Sequence, residues 1–420
     1  MRRRATWAAL AFAAGIAWLI IAGSPSEGPT LNAPEAQAQG SPKYMGTFTC
    51  ASSKCHGDPK GRAEYPKLNE YTVWSQGGKH FKSFATLTNE SLKSGKSPSK
   101  IAKNLNIAQP ETSDRCLACH ALNVKAELRG TRFNIAEGVQ CESCHGPSEK
   151  WLEGHRKKDW KHQQSVQVGM YDTMNLLLRA DKCVSCHLAI DADMVAAGHP
   201  DLFAFELNTF SVSMPTHWQD RGGSFGTREW AVGQTVALRE AMKQLAQRAS
   251  GNADEKLLTS AWLRARGHAV VVRHALAVAA PDAQKSLDQR MAALSETAGK
   301  GGAERPKIAA GASEIAKAME QVAPVVAKKE FGKSGTQALM QSISADADAI
   351  AASGVRGAQQ AAMALDRLTN AVAKESGQKT DKELGGILDR MFALVDDPAK
   401  FDPSRFAAEM KEFQKKLKQQ

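Results

Sequence analysis

Cys141-Glu142-Ser143-Cys144-His145 places two cysteines three positions apart and a histidine directly after the second one. Four stretches of the 420-residue chain share this kind of arrangement, and together they contain all eight cysteines. They are Cys50 and Cys55 with His56, Cys116 and Cys119 with His120, Cys141 and Cys144 with His145, and Cys183 and Cys186 with His187. In a c-type haem site the two thiols form thioethers with the haem vinyl groups, and the adjacent imidazole becomes the proximal iron ligand. The sequence therefore predicts four covalently bound haem c groups, each with its iron.

Two other uses of cysteine are compatible with parts of this pattern. Cys and His at similar spacing build structural zinc sites, and an exported chain could form disulfides from the same thiols. A histidine after every cysteine pair favours haem over both alternatives. The first motif differs from the others, because Ala51-Ser52-Ser53-Lys54 separates its cysteines by four residues instead of two. Its loop must bulge for both thiols to reach one haem.

The N-terminus has the pattern of an export signal. Arg2, Arg3 and Arg4 precede an apolar run over residues 7–22 that contains no charge. As a helix this run would be about 24 Å long, somewhat less than the thickness of a bilayer core. We therefore predict that residues 1–38 are a signal peptide cleaved after Ala38, or else an uncleaved N-terminal membrane anchor. Both predictions place the protein in the periplasm or outside the cell, where haem attachment of this type takes place.

The formal net charge of +11 would by itself suggest an acidic partner or nucleic acid. Four haems would add about eight negative propionates, so much of the Lys and Arg excess can serve to neutralise them. A basic docking face for an acidic redox partner is the alternative use of these charges. We expect redox proteins as partners, including membrane quinol-linked ones, and no nucleic acid.

Composition divides the chain into two predicted domains. Residues 44–222 contain all the cysteines and nine of the eleven histidines. Haem groups would form most of the core of such a domain, with short helices and long loops around them. Residues 223–420 are rich in Ala and Lys, and their spacing and breaks predict six to eight helices packed as a bundle. The predicted fold class is mainly α, a haem-packed multihaem cytochrome domain followed by an all-α helical bundle.

The second half carries specific helix signals. Asp402-Pro403 has the residue types of a cap and a first-turn proline, and Phe406, Met410, Phe413 and Leu417 follow on one helical face. Breaks are predicted at Gly251-Asn252, Ala280-Pro281, residues 299–302 and around Gly377. His268 and His274 lie six positions apart, so they do not share a helical face well, and we interpret them as ordinary residues rather than iron ligands.

The distal position of each iron decides between a carrier and an enzyme, because an open position admits a small substrate. Histidines outside the motifs are the expected distal ligands. They are His80, His155, His199 and His217, with His162 as a fifth candidate. Methionine is the other common distal ligand, and Met170, Met194 and Met214 are available.

Four stretches of the first half share a resemblance to a known family. They are Gly138-Val139-Gln140-Cys141-Glu142-Ser143-Cys144-His145-Gly146-Pro147, Gly154-His155-Arg156-Lys157, the segment from Trp74 to His80, and Ala196-Ala197-Gly198-His199-Pro200-Asp201-Leu202. These stretches resemble the multihaem cytochromes related to tetrahaem cytochrome c-554, also described as the cytochrome c-552/4 domain. The resemblance covers about residues 44–220 and does not extend to the helical half.

The resemblance implies a mostly α-helical domain in which closely spaced haems pass electrons. It also implies that three irons have two histidine ligands and that one iron lacks a distal ligand from the protein. Carried over by motif, His155 would bind the first iron opposite His56. In the same way, His80 would bind the third iron opposite His145.

For the other two haems the resemblance implies unequal coordination. The second iron, bound by His120, would be the open one, and the fourth, bound by His187, would take His199 or His217. The family pattern has two residues between the first pair of cysteines, where this chain has four. Because both His199 and His217 are present, a capped second iron is the alternative.

These features predict an exported tetrahaem c-type cytochrome that transfers electrons between periplasmic or membrane redox partners. Coordination by two histidines predicts low midpoint potentials, because the potential-raising methionine ligand is missing. The alternative is a haem enzyme that reduces or oxidises a small nitrogen compound at an open iron on His120, near Arg115 and Arg129. A partner scaffold or a sensor is a third possibility.

The number of haems can be measured directly. Because thioether bonds survive unfolding, a denaturing mass spectrum should show four haems, which add about 2.5 kDa to the mature polypeptide. A mass increase that corresponds to three haems would exclude the four-residue spacer as an attachment site.

Overall fold

The computed structural model describes residues 41–91, 96–202, 204–215, 225–298 and 304–419. The described residues from Pro42 onward belong to one compact unit. The predicted signal or anchor segment lies outside the described residues, as does the boundary predicted between residues 222 and 223.

The first half consists of short helices joined by long loops. The α-helices are α1 (Glu70–Gly77), α2 (Pro98–Asn104), α3 (Asp114–His120), α4 (Cys141–His145), α5 (His162–Gln167), α6 (Leu176–His187), α7 (Ala192–Ala196) and α8 (Leu207–Val212). Single turns of 3-10 helix lie at Thr47–Cys50, Phe84–Leu87, Pro110–Thr112, Ala126–Leu128, Ile135–Glu137 and Gly154–Arg156. Within the described ranges there is no β-strand, and one isolated bridge joins Tyr44 to Arg129. The mainly α fold class predicted from the sequence is confirmed.

The second half is built from longer helices. They are α9 (Phe225–Ser250), α10 (Glu255–Ala279), α11 (Pro281–Ala298), α12 (Arg305–Lys328), α13 (Gly332–Ala345), α14 (Ala347–Ala352), α15 (Val355–Glu375), α16 (Lys382–Asp396) and α17 (Pro403–Leu417), with a 3-10 turn at Pro398–Lys400. Over the described ranges these are nine α-helices, more than the six to eight predicted. Breaks beyond those predicted lie at residues 329–331, at Asp346 and at Gly354, whose φ of 90° is readily accessible only to glycine.

Most of the predicted helix breaks coincide with helix ends. The helix α9 ends directly before Gly251, α10 ends directly before Ala280-Pro281, and α15 ends two residues before Gly377. The predicted break at residues 299–302 lies outside the described residues.

The last helix confirms the helix signals read from the sequence. The Asp402 side chain accepts hydrogen bonds from the backbone N–H groups of Ser404 at 2.9 Å and Arg405 at 3.1 Å. These bonds satisfy donors that the first turn of a helix leaves unpaired. The predicted apolar face, Phe406, Met410, Phe413 and Leu417, is buried.

The two halves differ in what fills their interiors. One large cluster of buried apolar side chains runs through the bundle, and it includes Leu176, Ala180 and Val184 of α6. In the described part of the first half, the other buried cluster contains Leu87, Leu117 and Ala121. This apolar core is too small to determine the shape of that region by itself. Other groups must do so, as expected for an interior filled by haem.

The helix α6 and the segment before α8 connect the first half to the bundle. Apolar residues of α6 belong to the large core, and so do Phe205 and Leu207. The Leu207 side chain fits against Gly233 of α9, where a β-carbon would collide with it. The first half is therefore packed directly on the first long helix of the bundle.

None of the helices in the described ranges is both long and apolar enough to cross a membrane.

The contact at Gly233 predicts how the holoprotein responds to an added methyl group. Gly233→Ala should lower the stability by about 1–3 kcal/mol, because the methyl group overpacks the contact with Leu207. The measurement is thermal unfolding followed by circular dichroism.

Gly385→Ala in α16 is the matched control, because nothing lies within 4 Å of its β-carbon position. This substitution should stabilise the protein by about 0.5–1 kcal/mol through helix propensity alone. Equal effects of the two substitutions would contradict the close contact between α9 and Leu207.

Candidate haem-binding sites

Three of the four cysteine motifs lie at the ends of helices. The last helical residue is His120 in α3, His145 in α4 and His187 in α6. In a helix, residues three and four positions apart lie on one face. Each of these motifs therefore presents both thiols and the proximal imidazole on the same side.

The first motif forms a closed loop instead of a helical turn. Cys50 ends a 3-10 turn, and the His56 N–H donates to the Cys50 carbonyl at 3.1 Å. The Cys55 N–H donates to the Ser52 carbonyl at 2.8 Å within the loop. The two additional residues therefore bulge outward, while the backbones of Cys50 and His56 remain next to each other.

Three proximal histidines each face a histidine from a distant part of the chain. The ring centroids are 6.3 Å apart for His56 and His155, 6.2 Å for His120 and His199, and 6.1 Å for His80 and His187. Imidazole nitrogens bind metal ions at about 2 Å. Two rings at these centroid distances leave space for one iron between their nitrogens. The residues therefore fit a haem with two histidine ligands.

The first pair is oriented by hydrogen bonds on both rings. The His56 Nδ1–H donates to the Glu70 carboxylate at 2.8 Å, and the His155 Nδ1–H donates to the Trp151 carbonyl at 3.2 Å. The rings are almost parallel, with 5° between their planes. Since both Nδ1 atoms are engaged, Nε2 is the nitrogen that each ring offers to a metal.

The second pair is oriented in the same way. The His120 Nδ1–H donates to the Ser83 carbonyl at 3.0 Å and lies 2.9 Å from the Thr86 hydroxyl. The His199 Nδ1–H donates to the Pro200 carbonyl at 2.9 Å. Here too the geometry leaves Nε2 for the metal. The planes of the two rings are 81° apart.

The third pair, His80 and His187, lies beside two aromatic rings. The His187 ring stacks on Phe205 at 5.8 Å and meets the edge of Phe210 at 4.9 Å. Burial, and to a smaller extent the nearby His80, lower the pKa of His187 to about 4. Both effects favour the neutral imidazole, which is the form that binds iron.

Four further ligand candidates have shifted pKa values. Burial lowers the pKa of His80, His120 and His155. At His56 the hydrogen bond to Glu70 has the largest effect and raises the pKa. This bond holds the proton on Nδ1 and makes the imidazole a stronger electron donor, as carboxylate partners of metal-binding histidines do.

The ring contacts differ from the ligation that the resemblance implied for the second, third and fourth irons. His80 faces His187 instead of His145, and His199 faces His120, the ring expected on the open iron, instead of His187. The Val139 N–H, close to the third motif, donates to the His80 carbonyl at 3.0 Å. The backbone of His80 therefore lies beside the third motif, while its ring lies against the fourth. The implied pairing of His155 with His56 agrees with the structure.

The remaining candidates have other positions. His217 lies outside the described residues, and its role as a distal ligand stays a prediction. His162 lies 2.9 Å from the Asp172 carboxylate. In the bundle, His268 contacts Gln234 and His274 contacts Ser342, each through Nδ1.

The cysteine side chains of different motifs lie close together. None of the eight forms a disulfide. A hydrogen bond joins the side chains of Cys50 and Cys141. A second such bond joins Cys119 to Cys186. The first motif therefore lies beside the third, and the second beside the fourth.

The sequence patterns do not predict several residues that orient the proximal histidines. Glu70, Ser83 and Thr86 hold Nδ1 atoms of proximal histidines. Glu142, inside the third motif, is buried and accepts backbone hydrogen bonds from Met45 and Gly46 at 2.9 and 2.8 Å. These partners are distant in sequence from the residues they hold, so spacing gives no signal for them.

Covalent haem attachment and paired imidazoles define a class, the c-type cytochromes, which transfer electrons. Residues 49–146 match the family described as cytochrome c554 and c-prime, over the first three motifs. The resemblance to the cytochrome c-554 family is therefore confirmed over these residues, and the match supports a c-type cytochrome with covalently bound haem c. No curated protein and no solved structure matches the chain.

The pairing of His56 with His155 can be tested by substitution. In His155→Ala the thioether sites and His56 remain, so we expect the haem to stay attached while one iron changes from low spin to high spin. Electron paramagnetic resonance of the oxidised protein measures this change.

His162→Ala is the control, because His162 lies on the same segment of chain but contacts Asp172. It should leave all signals as in the unchanged protein. A low-spin His155→Ala protein would show that these two histidines do not share an iron.

Proposed function

We propose that the protein is an exported tetrahaem c-type cytochrome that carries electrons between redox proteins. In each site the haem supplies an iron that changes oxidation state by one electron. The cysteine pairs and proximal histidines of the four motifs would hold the haems. His155, His199 and His80 would be distal ligands for the first, second and fourth iron, and His217 remains a sequence-based candidate.

The observation that carries this proposal is the set of three opposed histidine pairs. Their centroid distances differ by only a few tenths of an ångström, although the partners come from different helices and loops. An iron shared by the two rings explains this similarity, because chance contacts between imidazoles would not repeat one distance. Two protein ligands on an iron leave no position for a substrate, and this is the coordination of an electron carrier.

The second site supports a carrier over the enzyme alternative. An enzyme would use an open iron on His120, but His199 lies opposite that ring. The two arginines near His120 in the sequence have other partners. Arg115 binds the Asp191 carboxylate at 2.7 and 2.9 Å, and Arg129 donates to the Val124 carbonyl at 2.9 Å.

The proximity of the motifs supports a function that involves all four haems together. The first motif contacts the third, and the second contacts the fourth. Cys144 of the third motif also lies near Cys183 of the fourth. The attachment points thus form a continuous series in the order first, third, fourth, second, as a protein that relays or stores several electrons requires.

Export and the nature of the partners are further parts of the proposal. The N-terminal arginines and apolar run support export to the periplasm, with or without retention as a membrane anchor. The excess of Lys and Arg supports the binding of an acidic redox protein wherever it is not used to neutralise haem propionates. Membrane quinol-linked proteins are the donors that this location makes available.

The second site gives the most direct test of carrier against enzyme. In the oxidised protein the iron on His120 should be low-spin and should not bind added cyanide. His199→Ala should make that iron high-spin and able to bind cyanide, because it removes the opposite ligand and leaves the attachment intact. Electron paramagnetic resonance with and without cyanide measures both properties.

Met194→Ala is a suitable control, since Met194 belongs to the same loop and is the rival ligand type. It should leave the iron low-spin. A high-spin, cyanide-binding second iron in the unchanged protein would contradict the proposal and favour an enzyme.

A further inference from the structure

Asp201 lies two residues after the distal ligand candidate His199 and is buried in the bundle. Its carboxylate accepts hydrogen bonds from both terminal nitrogens of Arg248, at 3.1 and 3.3 Å, and it also pairs with Arg264. The Ser260 hydroxyl donates to it at 3.1 Å. The side chains of Arg248 and Arg264 are 0% and 1% exposed and that of Asp201 is 6% exposed, so the ion pairs are shielded from solvent and salt.

The arginines are themselves part of the bundle. Arg248 lies in the last turn of α9 and also donates to the backbone carbonyls of Leu257 and Ile190, at 3.1 and 3.3 Å. Arg264 lies in the middle of α10. One carboxylate from the haem-binding half is therefore held by the two long helices α9 and α10.

The opposite end of the same loop is held by the second haem motif. Asp191 caps α7 by accepting from the Met194 N–H at 2.8 Å, and it binds Arg115, the residue before Cys116. His199 thus lies on a segment that is fixed at both ends. Asp191 binds it to α3, the helix that carries the opposite histidine, and Asp201 binds it to the bundle. Between these two points, the His199 N–H donates to the Met194 carbonyl at 2.9 Å.

We infer that the helical half of the chain sets the coordination of the second haem, with Asp201 as the positioning residue that holds His199 over the iron. This inference rests on the proposed ligation of one iron by His120 and His199. It gives the helical bundle a function in electron transfer. A bundle that holds the distal ligand determines whether the second iron is closed and low in potential, or open.

The test compares substitutions in the full-length holoprotein. Asp201→Asn keeps the size of the side chain but removes the charge that holds both arginines. We expect a high-spin signal from about one haem in four, together with cyanide binding and a rise in the midpoint potential of that haem, while all haems stay attached. Electron paramagnetic resonance and a redox titration measure these changes.

Arg273→Gln is the matched control for a loss of bundle stability. Arg273 of α10 binds two carboxylates, Asp288 at 2.9 and 3.0 Å and Asp346 at 3.0 Å. Its substitution also removes a charge shared by two ion pairs, but both of these partners belong to the bundle. This variant should remain low-spin. If it produced the same high-spin signal as Asp201→Asn, the effect would be general destabilisation and the inference would be wrong.

His199→Ala separates failure of the inference from failure of the proposed ligation. If His199→Ala gives a high-spin iron but Asp201→Asn does not, the ligation holds and the positioning role of Asp201 is refuted. If His199→Ala itself stays low-spin, the proposed ligand pair is wrong.

Arg248→Lys is a second variant for the same contact, for use if the Asp201→Asn protein does not fold. It keeps the positive charge but loses the two-pronged contact with Asp201. We expect a smaller high-spin fraction than in His199→Ala and a potential change in the same direction. A spectrum and potential equal to those of the unchanged protein would overturn the inference.

Discussion

The space between opposed imidazoles is the constraint on which the first half of the structure depends. For both nitrogens of a pair to bind one iron, as we propose, the two rings must stay about 6 Å apart. The described apolar core of this region outside the bundle is small, so packing of side chains does little to set these distances. Short hydrogen bonds to Glu70, Ser83 and Pro200 set the ring orientations instead. The loops are long because each must bring a histidine to a fixed point.

The sequence predicted the parts of this arrangement that depend on neighbouring residues. The cysteine motifs, the cap at Asp402 and the buried face of α17 follow from spacing alone, since each is formed within one or two helical turns. The partner of His80 could not be predicted in the same way. The hydrogen bond from Val139 places the His80 backbone beside the third motif, whereas its ring contacts His187 of the fourth motif. Only the folded structure shows that the ring and the backbone lie at different motifs.

The buried charged residues that join the two halves could not be predicted from the sequence either. Asp201 belongs to a stretch that we singled out because of its histidine. Its partners Arg248 and Arg264 lie in a region whose sequence pattern predicts only an amphipathic helical bundle. A buried carboxylate between two arginines is stable only when all members are in place, because an unpaired charge in the interior is costly. Such a group ties its elements to one arrangement, whereas an apolar contact would tolerate several.

The burial of α6 in the bundle core bears on how the haems become attached to the protein. Leu176, Ala180 and Val184 belong to a core made of polypeptide alone, and the same helix ends in the fourth haem motif. That attachment site can take its helical form before any cofactor arrives. The first and third motifs contribute no residue to this core in the described ranges. The fourth haem would then be attached to a helix that is already formed, next to the bundle.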